Sequence, residues 1–183
     1  PAFLGCSGTS TYPGNVTGNV IIRNGRVMDP FSGMEAASDV WIRNGKIYAV
    51  PGLTGGVMWE SDIRTARSAW EIDATGLVVA PGFIDIHSHE GVLEKTMEAF
   101  ALDGVTTMIG GNCGDSYHPL NDAFTRMASE GILINYLSYC GANTLRALAG
   151  VPEDQPAGAD QIAAMRSIAE TDMEAGALGV SYG

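Results

Sequence analysis

Hydrophobic and polar positions change their spacing near residue 80. Before that point, short runs of β-branched and aromatic residues dominate. VIIRNGRVMD and VWIRNGKIYAV each contain an Asn-Gly pair, Asn24-Gly25 and Asn44-Gly45. Asn-Gly between such runs signals a two-residue type I′ hairpin turn, so residues 19–80 are expected to hold two hairpins and, with them, a small β-sandwich. Residues 52–69 show no clear period and read as a connection with a short helical piece at 62–68. Residues 71–79 resume as strand, turn and strand. After Pro81-Gly82 the pattern becomes strands alternating with helices. The strands are predicted at 83–89, 105–109, 132–139 and 177–181, and the helices at 93–103, 119–130, 144–149 and 159–175. Gly104, Gly131 and Gly176 stand where three of the helices should stop, as expected of C-terminal caps. Repeated βα units predict a parallel sheet.

That sheet is unfinished. Roughly 100 residues follow Pro81, whereas a closed (β/α)8 barrel takes about 250. The last apolar run ends with the chain, where a lone strand would expose an unpaired edge. The expectation is an α/β fold: the first four units of a TIM-like barrel over residues 81–183. Its other half is expected from a second polypeptide, most simply the remainder of the same precursor.

Charge narrows the partners. The net charge of −11, from 21 acidic and 10 basic residues, argues against nucleic acid, which is bound through clustered Lys and Arg. A hydrophobic content of 45% can fill a core, and no window approaches the ~18 to 20 apolar residues of a membrane span. Cys6, Cys113 and Cys140 form no CxxC pair and are odd in number, which excludes a disulfide framework and a zinc ribbon. Ala2-Phe3-Leu4-Gly5-Cys6, followed by a Ser- and Thr-rich stretch, reads as the end of a bacterial lipoprotein signal with a flexible tether over residues 1–18. This reading puts a lipid anchor at Cys6 and the protein in the cell envelope, periplasm or outside the cell. A trimmed tail on a cytoplasmic protein is the alternative.

The candidate chemistry lies in FIDIHSHE, residues 83–90. On a strand, His87 and His89 would project from one face as a two-pronged metal claw, with Asp85 on the same face to orient a ligand. Taken alone, a His-x-His is as readily a polar strand end. In a βα barrel, functional groups sit at the C-terminal ends of strands, and Cys113 occupies such a place in the turn Gly110-Gly111-Asn112-Cys113-Gly114. Cys113 alone reads as a packed thiol; one strand away from a histidine pair it reads as a ligand, and His with thiolate favours zinc. His118, before Pro119, is expected to be an exposed loop histidine and Cys140 a core thiol. Arg146 is either a substrate-carboxylate partner or a structural helix-surface residue.

These motifs resemble, in order, those of N-acyl-D-amino-acid deacylases in the amidohydrolase superfamily: FIDIHSH after Ala80-Pro81-Gly82; Asp103-Gly104-Val105-Thr106-Thr107; Gly111-Asn112-Cys113-Gly114; Asn143-Thr144-Leu145-Arg146; and Gly176-Ala177-Leu178-Gly179-Val180-Ser181. The resemblance covers the N-terminal part of a family member. It implies a β-sandwich beside a zinc-bearing barrel with one or two ions, His87 and His89 at one metal position and Cys113 as a bridge to a second. Many relatives bridge with a carboxylated lysine on the fourth strand. Here Ser181 stands near that place, and the two lysines, Lys46 and Lys95, fall elsewhere. Two further histidines and the catalytic aspartate are expected from later strands, so no general base is assigned in this chain. The implied reaction is removal of the acyl group from N-acyl-D-amino acids by metal-activated water. The alternatives are a cyclic-amide hydrolase of hydantoinase or dihydroorotase type, a hydrolase with Cys113 as nucleophile, and a non-catalytic envelope binding protein on a degenerate barrel.

Overall fold

The computed structural model describes residues 19–54, 69–89 and 95–183. The expected tether at 1–18, the helical piece at 62–68 and the start of the first barrel helix lie outside the described residues. The chain divides into two compact units, Pro1–Pro81 and Gly82–Gly183.

In the first unit, β1 (Val20–Asp29) pairs antiparallel with β2 (Met34–Arg43). The Asn24-Gly25 pair makes no hairpin there, contrary to the expectation. It sits inside β1, where the register passes from Ile22 opposite Val40 to Gly25 opposite Ser38, leaving two residues of β1 against Asp39 alone. This is a β-bulge, with Asn24 at φ 62°. Its consequence is a change of parity. Ile22 and Val27 are five positions apart and would face opposite sides of a regular strand, yet both pack with Val40. The turn between β1 and β2 is built instead by Asp29, whose carboxylate accepts the Phe31 and Ser32 amides at 3.1 and 3.3 Å and the Ser32 hydroxyl at 2.6 Å. These bonds, the Ser32 hydroxyl foremost, hold the Asp29 carboxyl below its usual range.

The second Asn-Gly does form the expected turn, joining β2 to β3 (Lys46–Ala49) with Asn44 at φ 52° and Gly45 at φ 72°, both positive as a type I′ turn requires. Strands β4 (Trp70–Asp73) and β5 (Val78–Val79) run parallel to successive halves of β1 along its other edge. The described strands of this unit therefore form one five-stranded mixed sheet, in the order β3-β2-β1-β4 with β5 also on β1. The short α1 (Pro51–Thr54) follows β3, and the Gly52 amide donates to Ser38 Oγ at 3.1 Å.

The second unit carries β6 (Phe83–Asp85), α2 (Lys95–Leu102), β7 (Val105–Gly110), α3 (Leu120–Glu130), β8 (Asn135–Ser138), β9 (Cys140–Gly141), α4 (Ala142–Leu148), α5 (Ala159–Glu174) and β10 (Val180–Ser181). Strands β6, β7 and β8 are parallel neighbours, and β9 resumes the line of β8 after Tyr139 and pairs in parallel with β10. The Leu178 amide reaches the Ser138 carbonyl at 2.9 Å, so four successive strand positions run in one direction. Strand β6 is shorter than expected: it ends at Asp85, and both histidines lie beyond it.

Two apolar clusters support this unit. Met97, Met108 and Ile134 join α2 to β7 and the approach to β8, while Leu120, Cys140, Leu145 and Ala177 bind α3, β9, α4 and the approach to β10. Beside the second cluster lies a carboxylate. Asp172 is 1% exposed and accepts the Leu120 amide at 3.0 Å, with His118 Nδ1 at 3.0 Å and Cys140 Sγ at 3.5 Å. His118 is thus half-buried and paired, not the exposed loop residue expected. Its partner is 54 positions away, a distance that sequence proximity cannot bridge. A carboxylate this deeply buried stays because donors satisfy it.

Gly25 tests the parity device. A Cβ there would collide with Cγ2 of Val79, so Gly25→Val should lower the stability of the first unit by about 1 to 3 kcal/mol. Gly33→Asn, at φ 73° with open space around it, should change it by less than about 1 kcal/mol. Urea unfolding midpoints of the two variants check this.

Candidate metal centre

The site begins where β6 stops. The Asp85 carboxylate accepts the His87 amide at 3.1 Å, turning the backbone out of the strand. The contact that Asp85 makes is with the main chain of His87. Ser88 is then tied to the end of β7 from both sides of its peptide. Its N–H donates to the Ile109 carbonyl at 3.2 Å, and its carbonyl accepts Nδ2 of Asn112 at 3.2 Å. The same Asn112 amide donates to the Ile109 carbonyl at 2.7 Å. With the middle residue of His-Ser-His pinned and buried, the residues on either side swing to a common point. Their Nε2 atoms are 3.2 Å apart.

The third group comes from the turn after β7. Gly111, Cys113 and Gly114 have φ of 71°, 53° and 85°, a run of left-handed conformations that folds the chain back sharply. A Cβ at Gly111 would collide with the Tyr139 carbonyl, and one at Gly114 would come within 2.6 Å of the Asn143 amide. Cys113 bears a side chain in this strained region, at a cost of about 1 to 3 kcal/mol, and the surroundings hold it there. Ser181 Oγ accepts the Gly114 amide at 3.1 Å and donates to the Gly111 carbonyl. The Gly114 carbonyl accepts the Asn143 and Thr144 amides at 2.8 and 3.1 Å in the first turn of α4. The Cys113 carbonyl accepts Nδ2 of Asn143 at 3.3 Å. So fixed, Cys113 Sγ lies 3.4 Å from His87 Nε2.

The donor atoms of His87, His89 and Cys113 all fall within 4.8 Å of one another, and among the described residues they are the one group of three or more His, Cys, Asp or Glu side chains arranged to hold a metal ion. Bond lengths near 2.0 to 2.1 Å to nitrogen and 2.3 Å to sulfur place neighbouring donors of tetrahedral zinc about 3.3 to 3.6 Å apart. Two edges of the triangle, 3.2 Å between the histidines and 3.4 Å from His87 to Cys113, lie close to that length, with His89 and Cys113 within 4.8 Å of each other, and a nitrogen–sulfur donor set suits zinc. All three side chains are exposed, leaving the trio open to water and to further donors.

The other candidates lie elsewhere. Ser181, expected near the metal, acts as the clasp of the Cys113 turn. Arg146 Nη2 donates to the Pro152 and Gln155 carbonyls at 3.0 and 2.7 Å, a structural use that ties α4 to the following loop. Cys140 is the expected core thiol: burial, followed by the nearby Asp172, pushes it up to about 11. Asn112 and Asn143, the two amides that brace the site, lie within the Gly-Asn-Cys-Gly and Asn-Thr-Leu-Arg motifs, which carry no local sign of that role, and Asp172 carries no sequence signal at all.

A trio of candidate metal donors thus lies at the C-terminal ends of parallel strands in a series of βα units. Residues 71–183 match the amidohydrolase family, and the chain belongs to that family. It is 32% identical over 192 aligned positions to the D-aminoacylase of Alcaligenes xylosoxydans xylosoxydans, covering 90% of this chain and 37% of the relative. The fold matches a crystal structure of N-acyl-D-glutamate deacylase from Bordetella bronchiseptica, complexed with zinc and a phosphonate inhibitor. The TM-score is 0.76 at 25% identity, over 90% of this chain and 38% of that one. A shorter stretch, 70 residues or 38% of this chain and 14% of the relative, is 49% identical to a dihydroorotase of Streptococcus pneumoniae. The chain thus spans little more than a third of the curated D-aminoacylase, and its parallel strands correspond to part of a TIM-like barrel.

The two described thiols should differ in reactivity. At pH 8, well below about 11, Cys140 is protonated and buried, whereas Cys113 is exposed. Iodoacetamide followed by peptide mapping should show Cys113 alkylated and Cys140 intact. Modification of Cys140 should rise only as pH approaches its shifted value or as the chain unfolds.

Proposed function

We propose that this chain carries the metal-holding part of a zinc-dependent amidohydrolase that removes the acyl group from N-acyl-D-amino acids. The observation that carries the reading is the convergence of His87, His89 and Cys113 at donor separations of 3.2 and 3.4 Å, with the cysteine in a Gly-Asn-Cys-Gly turn. The D-aminoacylase relationship and the zinc in the structurally similar deacylase support the metal and the substrate class.

In this reading His87, His89 and Cys113 hold zinc, with Cys113 as the bridge if a second ion is bound. Zinc supplies Lewis acidity toward an amide carbonyl and acidifies water, lowering its pKa toward ~7. Asp85 sets the backbone of His87, Asn112 fixes the peptide between the histidines, and Ser181 locks the cysteine turn. The remaining donors and the general base are assigned to strands of the barrel outside the part matched here, on the same polypeptide or on a second one. The dihydroorotase likeness favours a second reading, hydrolysis of a cyclic amide at the same metal site.

In the complete protein loaded with zinc, Cys113→Ala should lose stoichiometric zinc and lower the deacetylation rate of N-acetyl-D-leucine by at least about a hundredfold. Asn112→Leu should weaken zinc by about ten- to a hundredfold, the range found for outer-shell partners of metal ligands. Metal analysis and acetate release measure both. Unchanged zinc content in Cys113→Ala would sink the ligand assignment, and turnover of dihydroorotate or a hydantoin without turnover of N-acetyl-D-leucine would transfer the site to the second reading.

A further inference from the structure

A cleft of about 300 Å³ opens beside the trio of candidate metal donors and shares His89 with it, and Asn112 stands in its wall. Asp115, Ser116, Tyr117 and Tyr136 form much of its remaining wall, and among the described residues neither Lys nor Arg lines it. The one acidic side chain among its described lining residues is Asp115, two positions after Cys113. The Asp115 amide donates to the Asn112 carbonyl at 3.2 Å, so its backbone belongs to the same locked turn. The next residue is fixed as well: Ser116 donates its amide to Thr144 Oγ1 at 3.0 Å and accepts the Gly141 amide on its hydroxyl at 2.9 Å. Asp115 is thus presented from a rigid support. Its carboxylate has no hydrogen-bond or ion-pair partner among the described residues, and it stands outside the group that could hold a metal.

An unneutralised carboxylate in such a cleft suits a cation. The carboxylate accepts charge-assisted hydrogen bonds from an ammonium or guanidinium. It opposes a second carboxylate for the same Coulombic reason. We propose that Asp115 is a specificity-determining residue that selects N-acyl-amino acids with a basic side chain and discriminates against acidic ones. The inference rests on the deacylase reading of the metal site and deepens it by naming the side-chain class. The expected preference is opposite in charge to the substrate in the name of the structurally similar N-acyl-D-glutamate deacylase.

The test uses the complete zinc-loaded protein and compares kcat/KM for N-acetyl-D-arginine, N-acetyl-D-leucine and N-acetyl-D-glutamate in the wild type and in Asp115→Asn, Asp115→Ala and Asp115→Glu. A charge-assisted hydrogen bond accounts for about a tenfold preference or more, so the wild type should favour arginine over leucine by about that factor and disfavour glutamate. Asp115→Asn and Asp115→Ala should bring the arginine-to-leucine ratio close to one, and Asp115→Glu should retain part of the preference. An arginine-to-leucine ratio that is the same in the wild type and Asp115→Asn, or a wild type that prefers glutamate, overturns the inference while leaving the deacylase reading in place. Failure of the wild type to hydrolyse any of the three overturns the deacylase reading, and this inference with it.

Discussion

The side-chain amide of Asn112 holds the ends of two neighbouring strands together, and the candidate metal centre depends on that tie. One NH2 group serves two carbonyls, Ser88 after β6 and Ile109 in β7, while Asn112 itself is only 6% exposed. Amide bonds in such a place have little competition from water, and a buried carbonyl left without its donor would cost about 1 to 3 kcal/mol. Pinning Ser88 removes the freedom of the loop at its midpoint. The two imidazoles then have little choice but to meet, and Asn112 is also the immediate neighbour of the cysteine that joins them.

The turn that presents Cys113 is a strained object kept in shape by contacts distributed over later elements. Ser181 comes from the last strand, and Asn143 and Thr144 from the start of α4. The candidate centre is therefore a joint product of β6, β7, α4 and β10, and the second apolar cluster packs α4 and the approach to β10, the elements that hold the cysteine turn. Asp172, His118 and Cys140 belong to that supporting structure. They bring three titratable side chains together without making a second active centre, because the thiol is buried and its protonated form is favoured.

Exposure divides the cysteines by role. Cys140 and Cys113 sit near the C-terminal ends of neighbouring strand positions, yet one is enclosed and the other faces the open side of the trio. An exposed, strained cysteine close to an imidazole has no packing reason to be there. Its sulfur lies 3.4 Å from His87 Nε2, and the same rigid turn carries Asp115 to the neighbouring cleft.

Local sequence by itself determined most of the element types and pointed to the candidate metal donors. The βα alternation after Pro81, the helix-stopping glycines at 131 and 176 and the His-x-His and Gly-Asn-Cys-Gly pairs are short-range patterns, set by backbone sterics and side-chain period, and each appears in the structure near its expected place. Two identical Asn-Gly pairs show where such reading ends. Asn44-Gly45 turns a hairpin, whereas Asn24-Gly25 is a bulge, because the parallel pairing of β4 and β5 along β1 and the packing of Val79 over Gly25 require a continuous strand. Only the tertiary structure could decide that difference. It also decided that the histidines converge beyond the strand rather than on it, that Ser181 is a clasp, and that His118 is paired with Asp172. Each of these depends on hydrogen bonds or packing between residues far apart in the chain, whose energy exists only once the intervening loops have closed.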